Sequence, residues 1–535
     1  MTRGLYRVYL YVVTIALASF ATFSLAFLLG ALFALTPLRG SAPPPSGAQI
    51  TQAVILFVVM LIVVGAFGGL HYWLIRRDCA GDPHINESGV RAFTLNAAEG
   101  VAILIAVNAG VSSLAQLGAS YSPDISSSLA GALATAALAF TLEWERRRAT
   151  PTQGVALVFE RLRRHGVPLL LLITTLSSIY TAIGSAERVI AQQAGVIACS
   201  PPGVPFPPEG AQPVYLPPCV GNEVYGAWAA AALAVAVWLG FLWMGRSDSR
   251  SLLRQVLLLI GWTGGGMILL AITLERAAEY ALRLVTPGGT APDYLNNFNF
   301  GPLLVAAAVA LAVYGWMLRE REPGAPMSMP VIRLTMRALS GATLAVPFWI
   351  GVFLVVRDTF TALSPTVTSP SADEWDTAIA FVIAGVGYIP LALWLGASSR
   401  AWEINGPRRG FVLALLAAGA LATAGSVATL LYAVITPLLN VPLENWQEVA
   451  RNAGAALLTG LALGGLYLFI ALREKQFVPA PKVPEAAPEA APVTVPVTAP
   501  PASLDEALAQ FKRGELSQDA AAERIRTLAR EGALT

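Results

Sequence analysis

Twelve apolar stretches, each long enough to cross a lipid bilayer as a helix, fill the first 473 residues and leave little between them but short basic loops. They run approximately over 5–35, 50–75, 94–117, 126–145, 166–190, 223–244, 253–285, 299–318, 335–363, 376–397, 410–438 and 447–472. A hydrocarbon core ~30 Å thick takes ~20 helical residues, and it holds no water to satisfy backbone polar groups. Each stretch is therefore expected to be a helix. Only 13% of the residues are charged, against roughly 25% in soluble domains, too few to clothe one water-soluble body of this length. The spacing predicts an all-α polytopic membrane protein of about twelve spans. Several odd-numbered stretches exceed the bilayer thickness and predict tilted or projecting helices. The first is too long for a signal-peptide core and is read as an uncleaved span.

The ends of the stretches carry a repeated motif. Trp73-Leu-Ile-Arg76, Trp144-Glu-Arg-Arg147, Trp243-Met-Gly-Arg246 and Trp316-Met-Leu-Arg319 all read W-x-x-R. Looser copies occur at Trp394 with Arg400 and at Tyr467 with Arg473. A tryptophan ring suits the apolar edge of the headgroup layer while its N–H stays in the wet zone. The expected role is a bilayer anchor, with each arginine reaching lipid phosphates.

Basic residues orient a membrane chain by collecting on the cytoplasmic side. With a cytoplasmic N-terminus, the inner loops and helix ends up to Lys475 hold 23 Arg and Lys, among them Arg3, Arg91, Arg163 and Arg254. The outer ones hold six: Arg39, Arg188, Arg276, Arg283, Arg357 and Arg451. Both termini are thus expected in the cytoplasm. Arginine outnumbers lysine 32 to 3, a bias of GC-rich bacterial genomes, so the bacterial inner membrane is the expected location.

The anchors also recur at fixed intervals. Positions 73, 243 and 394 are separated by 170 and 151 residues, and positions 144, 316 and 467 by 172 and 151. Such self-similarity predicts a four-helix unit present three times, over 1–148, 160–320 and 333–473. An even helix count makes these parallel repeats, unlike the inverted repeats of many alternating-access transporters. The units resemble the bacterial membrane family called domain of unknown function 5671. That resemblance rests on an Arg-led long helix such as Arg3-Gly-Leu-Tyr-Arg-Val-Tyr-Leu-Tyr, then a shorter helix that leaves through Trp and Arg. It implies a multi-pass membrane protein and no particular activity.

Cys199 and Cys219 bracket a proline-rich stretch in the outer loop 191–222. That side favours disulfides, and closing such a loop contributes ~3 kcal/mol in the chain-entropy treatment. A disulfide is expected, with two separate thiols as the alternative. Cys79 lies on the inner side and is expected as a free thiol.

The chain carries no nucleotide-loop, nucleophile-elbow or zinc-protease motif. His71, His84 and His165 have no partner at metal-ligand spacing. No catalytic residue, cofactor or metal is expected, nor any nucleic-acid partner. Gly264-Gly265-Gly266 lies within a span and reads as a packing notch. Ionisable groups inside spans are functional hypotheses by default. Glu99 and Glu143 are placed near the inner interface. Glu187-Arg188, Glu275-Arg276, Glu279, Arg283 and Arg357-Asp358 are placed near the outer one. Asn108, Thr174, Thr175, Ser177 and Ser178 are expected at mid-depth, bonding between helices.

Beyond Lys475 the composition changes. Residues 476–502 are a Pro/Ala-rich linker of semi-rigid, extended chain. Residues 503–535 read as two short helices. Ser503-Leu-Asp-Glu506 is a capping box, and Leu504, Leu508 and Phe511 form one apolar stripe. After Gly514 and Ser517, Ile525 and Leu528 form another. Phe-Lys-Arg-Gly-Glu-Leu-Ser resembles the core of the short C-terminal domain of many bacterial membrane proteins. So few residues bury little surface alone, which points to a protein partner or self-association. The functional expectation is a non-enzymatic scaffold or accessory subunit in contact with the lipid bilayer. A transporter or channel is the alternative, and a membrane sensor using the outer loop a further one.

Overall fold

The computed structural model describes residues 2–40, 42–81, 88–117, 124–148, 154–195, 223–248, 251–287, 293–320, 327–364, 370–398, 406–438 and 446–473, with Ala509 and Glu523. Among the described residues every regular element is helical. Twelve long helices stand where the apolar stretches predict them. They are α1 Thr2–Phe33, α2 Gly47–Ala80, α3 Gly89–Ala115, α4 Ser126–Arg147, α5 Gly154–Gln193 and α6 Glu223–Met244. The second half adds α7 Leu252–Val285, α8 Phe300–Arg319, α9 Met329–Leu363, α10 Ala372–Leu395, α11 Gly406–Leu438 and α12 Trp446–Arg473.

Eleven of the twelve are long and apolar enough to cross a membrane. The twelve expected spans are short by one, α4. It has the length, 22 residues, but opens on Ser126-Ser127-Ser128 and closes on Glu143, Glu145, Arg146 and Arg147. Helix α5 also differs from expectation, starting at Gly154 rather than near residue 166. Its opening residues 154–159 are apolar, and the charged turn after them is self-supporting, since Arg164 and Glu160 pair at 2.9 Å one turn apart. The last two helical residues, Leu472 and Arg473, belong to a second compact unit that runs to Thr535. Of that unit's predicted hairpin, Ala509 and Glu523 are helical. Leu504, Leu508, Phe511, Ile525, Leu528 and the linker 476–502 lie outside the described residues, as do Cys199, Cys219 and the outer loop around them.

Helix packing has a recurring order. Helix α1 lies on α2, α3 and α4, and α3 on α4; α5 lies on α6, α7 and α8, and α7 on α8; α9 lies on α10 and α11. The joints between these groups also match. Helix α3 rests against α5 and α6, and α7 rests against α9 and α10.

Small residues make these joints close. Alanines crowd the buried positions, with Ala130, Ala182, Ala306, Ala307, Ala310, Ala378, Ala380 and Ala455 almost fully enclosed. Within lipid the hydrophobic effect does not drive helices together, so contact area and close backbone approach have to. The glycine notch in α7 works in this way. A Cβ on Gly265 would come within 2.5 Å of Leu172 on α5, and one on Gly266 within 2.5 Å of Leu311 on α8. The notch coincides with a π turn at Trp262–Met267. Between α9 and α10, a Cβ on Gly351 would lie 2.5 Å from the Val382 backbone nitrogen, and one on Gly385 would collide with the Phe348 backbone. On α11 and α12, Gly419 faces Gly464.

Replacing Gly385 by leucine should therefore destabilise the bundle by at least the ~1–3 kcal/mol typical of overpacking, because a backbone cannot rotate away. Gly264→Ala should be nearly silent, since nothing lies within 4 Å of its added Cβ. Thermal unfolding of the two variants in the same detergent checks the contrast; equal melting would refute it.

Candidate functional site: a buried ion-pair network joining three helices

At the end of the bundle that carries the Trp-Arg motifs, α3, α4 and α5 bring together seven charged side chains. The order in sequence explains the meeting. Glu99 lies near the start of α3, Arg146 and Arg147 end α4, and Glu160, Arg163 and Arg164 occupy the early turns of α5. Antiparallel neighbours place these ends side by side.

Glu99 is the hub, with a side chain only 2% exposed. Its Oε2 accepts from Arg146 Nε at 3.1 Å and its Oε1 accepts from Arg163 Nη1 at 2.7 Å. Arg163 also donates to Asn96 Oδ1 at 2.9 Å, and Asn96 donates to the Ala92 carbonyl at 2.7 Å. Arg146 is the second hub. It reaches Glu143 at 2.5 Å within α4 and Glu160 at 3.3 Å on α5. Glu160 is shared with Arg164 at 2.9 Å, and Glu143 with Arg147 at 2.5 Å. Burial of so many charges is tolerable only because each carboxylate faces at least two guanidinium groups. A cleft of about 500 Å³ opens beside them, with Phe140, Phe241, Ile103 and Met244 as its apolar wall.

Two further layers flank this network. Tyr72 of α2 donates to Glu145 Oε2 at 3.0 Å, and Arg91 of α3 donates to the Glu145 carbonyl at 3.1 Å. Arg7 and Asp78 tie α1 to α2 at 2.9 Å. On the other flank, Asp248 meets Arg161 at 3.1 Å and His165 Nε2 at 3.2 Å. Among the described residues no group of three His, Cys, Asp or Glu is placed to hold a metal ion. Cys79 is a free thiol.

The anchor residues divide between ring and charge. The rings of Trp73, Trp144, Trp243 and Trp316 are all more than half exposed. Their arginines were expected at lipid phosphates, yet several reach protein groups. Arg246 pairs with Glu320 and lies 4.4 Å from the Trp243 ring centroid and 5.1 Å from that of Trp316. Arg76 lies 3.8 Å from Glu145, and Arg147 takes Glu143. Arg319 is exposed.

The opposite end holds a smaller polar group. Arg283 pairs with Glu279 at 2.5 Å, as the i, i+4 spacing predicts, and also reaches Asp373 of α10 at 3.6 Å. Thr377 donates to Glu279 at 2.8 Å and Thr286 to Asp376 at 2.8 Å. Arg357 and Asp358 pair at 2.7 Å. Before α8, burial raises the Tyr294 phenol above its usual range, opposed by the Gly301 backbone N–H that it accepts. At mid-length, Thr174 donates to Asn108 at 3.0 Å across α5 and α3, and Thr175 to the Ala234 carbonyl of α6 at 3.3 Å.

Sequence reasoning placed Glu99 and Glu143 near one interface but treated them singly. It missed Arg146, Glu160 and Arg163 as their partners. The available signal was the polar run Glu160-Arg-Leu-Arg-Arg164, which continues helical spacing before the apolar stretch begins. Compared with known protein families, curated proteins and solved structures, the chain matches none.

Arg146→Gln should leave Glu99 and Glu160 partly unpaired in a buried site, costing about 3–5 kcal/mol. Arg147→Gln, at a side chain 71% exposed, should cost no more than about 1 kcal/mol. Unfolding midpoints of the two variants in detergent test this, and a milder effect at Arg146 than at Arg147 would contradict it.

Proposed function

We propose that this chain is a non-enzymatic scaffold or accessory subunit of a bacterial cytoplasmic membrane. It crosses the bilayer twelve times, with both termini in the cytoplasm, and presents residues 503–535 as a tethered docking element. One observation carries the reading: the long-range polar contacts inside the bundle tie one helix to another, while hydroxyls such as those of Ser178, Thr273 and Thr459 bond carbonyls of their own helix. Glu99, Arg146, Arg163 and Glu160 bind three helices together. Thr174–Asn108 adds a second tie between α5 and α3, and Trp238–Tyr314 and Tyr467–Tyr388 each join a further pair. Such bonds hold membrane helices in fixed register without any solute passing between them.

The twelve-span count includes α4 because its partners surround it. Charges at its end are neutralised by Glu99 and Glu160, which lowers the cost of placing it in the membrane. The three parallel four-helix units are supported by the recurring packing order and by shared devices. The second and fourth helices of each unit are linked through a tyrosine hydroxyl: Tyr72 with Glu145, Tyr314 with Trp238, and Tyr467 with Tyr388. The first helices of units two and three both carry a buried proline, Pro168 and Pro347. Orientation rests on the distribution of basic residues. The tether reading rests on the apolar stripes of a segment too short to fold by itself.

The alternative, a transporter or channel, has the opposite-end cluster of Glu279, Arg283, Asp373 and Asp376 in its favour. That cluster sits at helix ends, where adjacent charges stabilise a projecting helix equally well.

Affinity purification of the full chain and of a chain ending at Ala502 should give different partner sets; identical sets would sink the tether. Orientation is checked with an impermeant thiol reagent on intact cells, after replacing the native cysteines by serine. Ser46→Cys should label and Arg77→Cys should not. The reverse pattern would invert the topology.

A further inference from the structure

The two joints between helix groups use corresponding helices but differ in how their arginines are paired. The first, made by α3, α4, α5 and α6, is the cleft of the ion-pair network, where Glu99, Glu143 and Glu160 face four arginines. The second, made by α7, α8, α9 and α10, encloses a cleft of the same size, about 500 Å³. Arg319, Arg333 and Arg337 line it, and among the described residues no carboxylate does. Glu320, adjacent to Arg319 in sequence, is committed to Arg246. The Ser340 hydroxyl in the cleft donates to the Met336 carbonyl. Arg337 is held flat, its guanidinium 3.5 Å from the Trp394 ring centroid. Below the arginines the wall is apolar: Leu318, Ile332 and Met336.

We propose that this second cleft binds the phosphate of an anionic phospholipid headgroup. Three guanidinium groups share one cleft with Trp394, with no carboxylate among its described lining residues, at the depth where exposed indoles meet headgroups. Guanidinium pairs with phosphate bidentately, and the stack on Trp394 fixes the fork in advance. The apolar wall accepts the upper part of an acyl chain. Basic pockets between membrane helices favour anionic over zwitterionic lipids for these reasons. In the first cleft three carboxylates already occupy the four arginines, so a weaker preference is expected there. The two joints thus differ in what closes them: protein carboxylates in one, a lipid in the other.

The inference rests on the bilayer reading. That reading fails visibly if the full chain stays monodisperse without detergent or lipid. The test uses the purified full-length chain in detergent with equimolar phosphatidylglycerol and phosphatidylcholine of matched acyl chains. Retained lipid is counted by native mass spectrometry. Wild type should retain phosphatidylglycerol at least about tenfold over phosphatidylcholine. The combined Arg319→Gln, Arg333→Gln, Arg337→Gln variant should bring that ratio close to unity. Arg77→Gln, at the same end but outside the cleft, should leave it unchanged. Should the triple variant fail to fold, Arg333→Gln alone, at an exposed position, must still lower the ratio severalfold. The triple lysine variant must retain most of it. No headgroup preference in wild type, or equal loss in Arg77→Gln, overturns the proposal. So does displacement of the lipid by equimolar inorganic phosphate, which would identify a soluble anion as the ligand.

Discussion

Close backbone approach at small residues is the constraint on which this bundle depends. Inside a bilayer a leucine gains nothing by leaving lipid for protein, so large apolar side chains cannot drive assembly. The structure combines a core that holds large side chains such as Leu171, Trp238 and Leu395 with close seams made by small ones. Leucine, isoleucine and valine dominate the exposed flanks, with Ile173, Phe140 and Leu421 largely open, while alanine and glycine form the seams. Volume in those seams is what specificity rests on. An added carbon at Gly351 would meet the Val382 backbone, which has to shift, whereas at Gly266 the Leu311 side chain has to give first.

Polar contacts complete what small residues begin. In a dry interior an unpaired polar group costs more than in water, and a satisfied one locks its partners. Thr174 with Asn108 and Tyr467 with Tyr388 each fix one pair of helices. The Glu99 network fixes three at once, and at the end of the bundle, where charge is least expensive to bury. Stacks of arginine on Trp73, Trp144, Trp243 and Trp394 serve the same end of the molecule, holding the ring and the charge in one place.

The helices were legible because hydrophobic run length is a one-dimensional property. Each apolar stretch became a helix, and Leu252–Val285 falls within a residue of its expected bounds. The notch was readable from Gly264–Gly266, although only Gly265 and Gly266 receive a neighbouring helix and Gly264 faces open space. The start of α5 and the polarity of α4 were less legible, because charged turns at a helix end look like loop until their partners are known. Glu99, Arg146 and Glu160 are separated by up to 61 positions and share no local pattern. Only the antiparallel arrangement of α3, α4 and α5 reveals them as one site. The arginines of the second cleft were counted as inner-side charges, and nothing in the sequence distinguishes them from Arg146 or Arg163. That distinction depends on where carboxylates point.

The joint between helix groups has a property that closed assemblies lack. Helix α3 serves α5 and α6, and α7 serves α9 and α10, so each step is made by a third helix receiving the first two helices of the next group. Donor and acceptor faces of this joint are different surfaces on the same four-helix group. Copying one group within the gene would therefore supply both faces together, with no new surface to evolve. Growth by duplication is open-ended in such a design, and individual joints are free to diverge once formed.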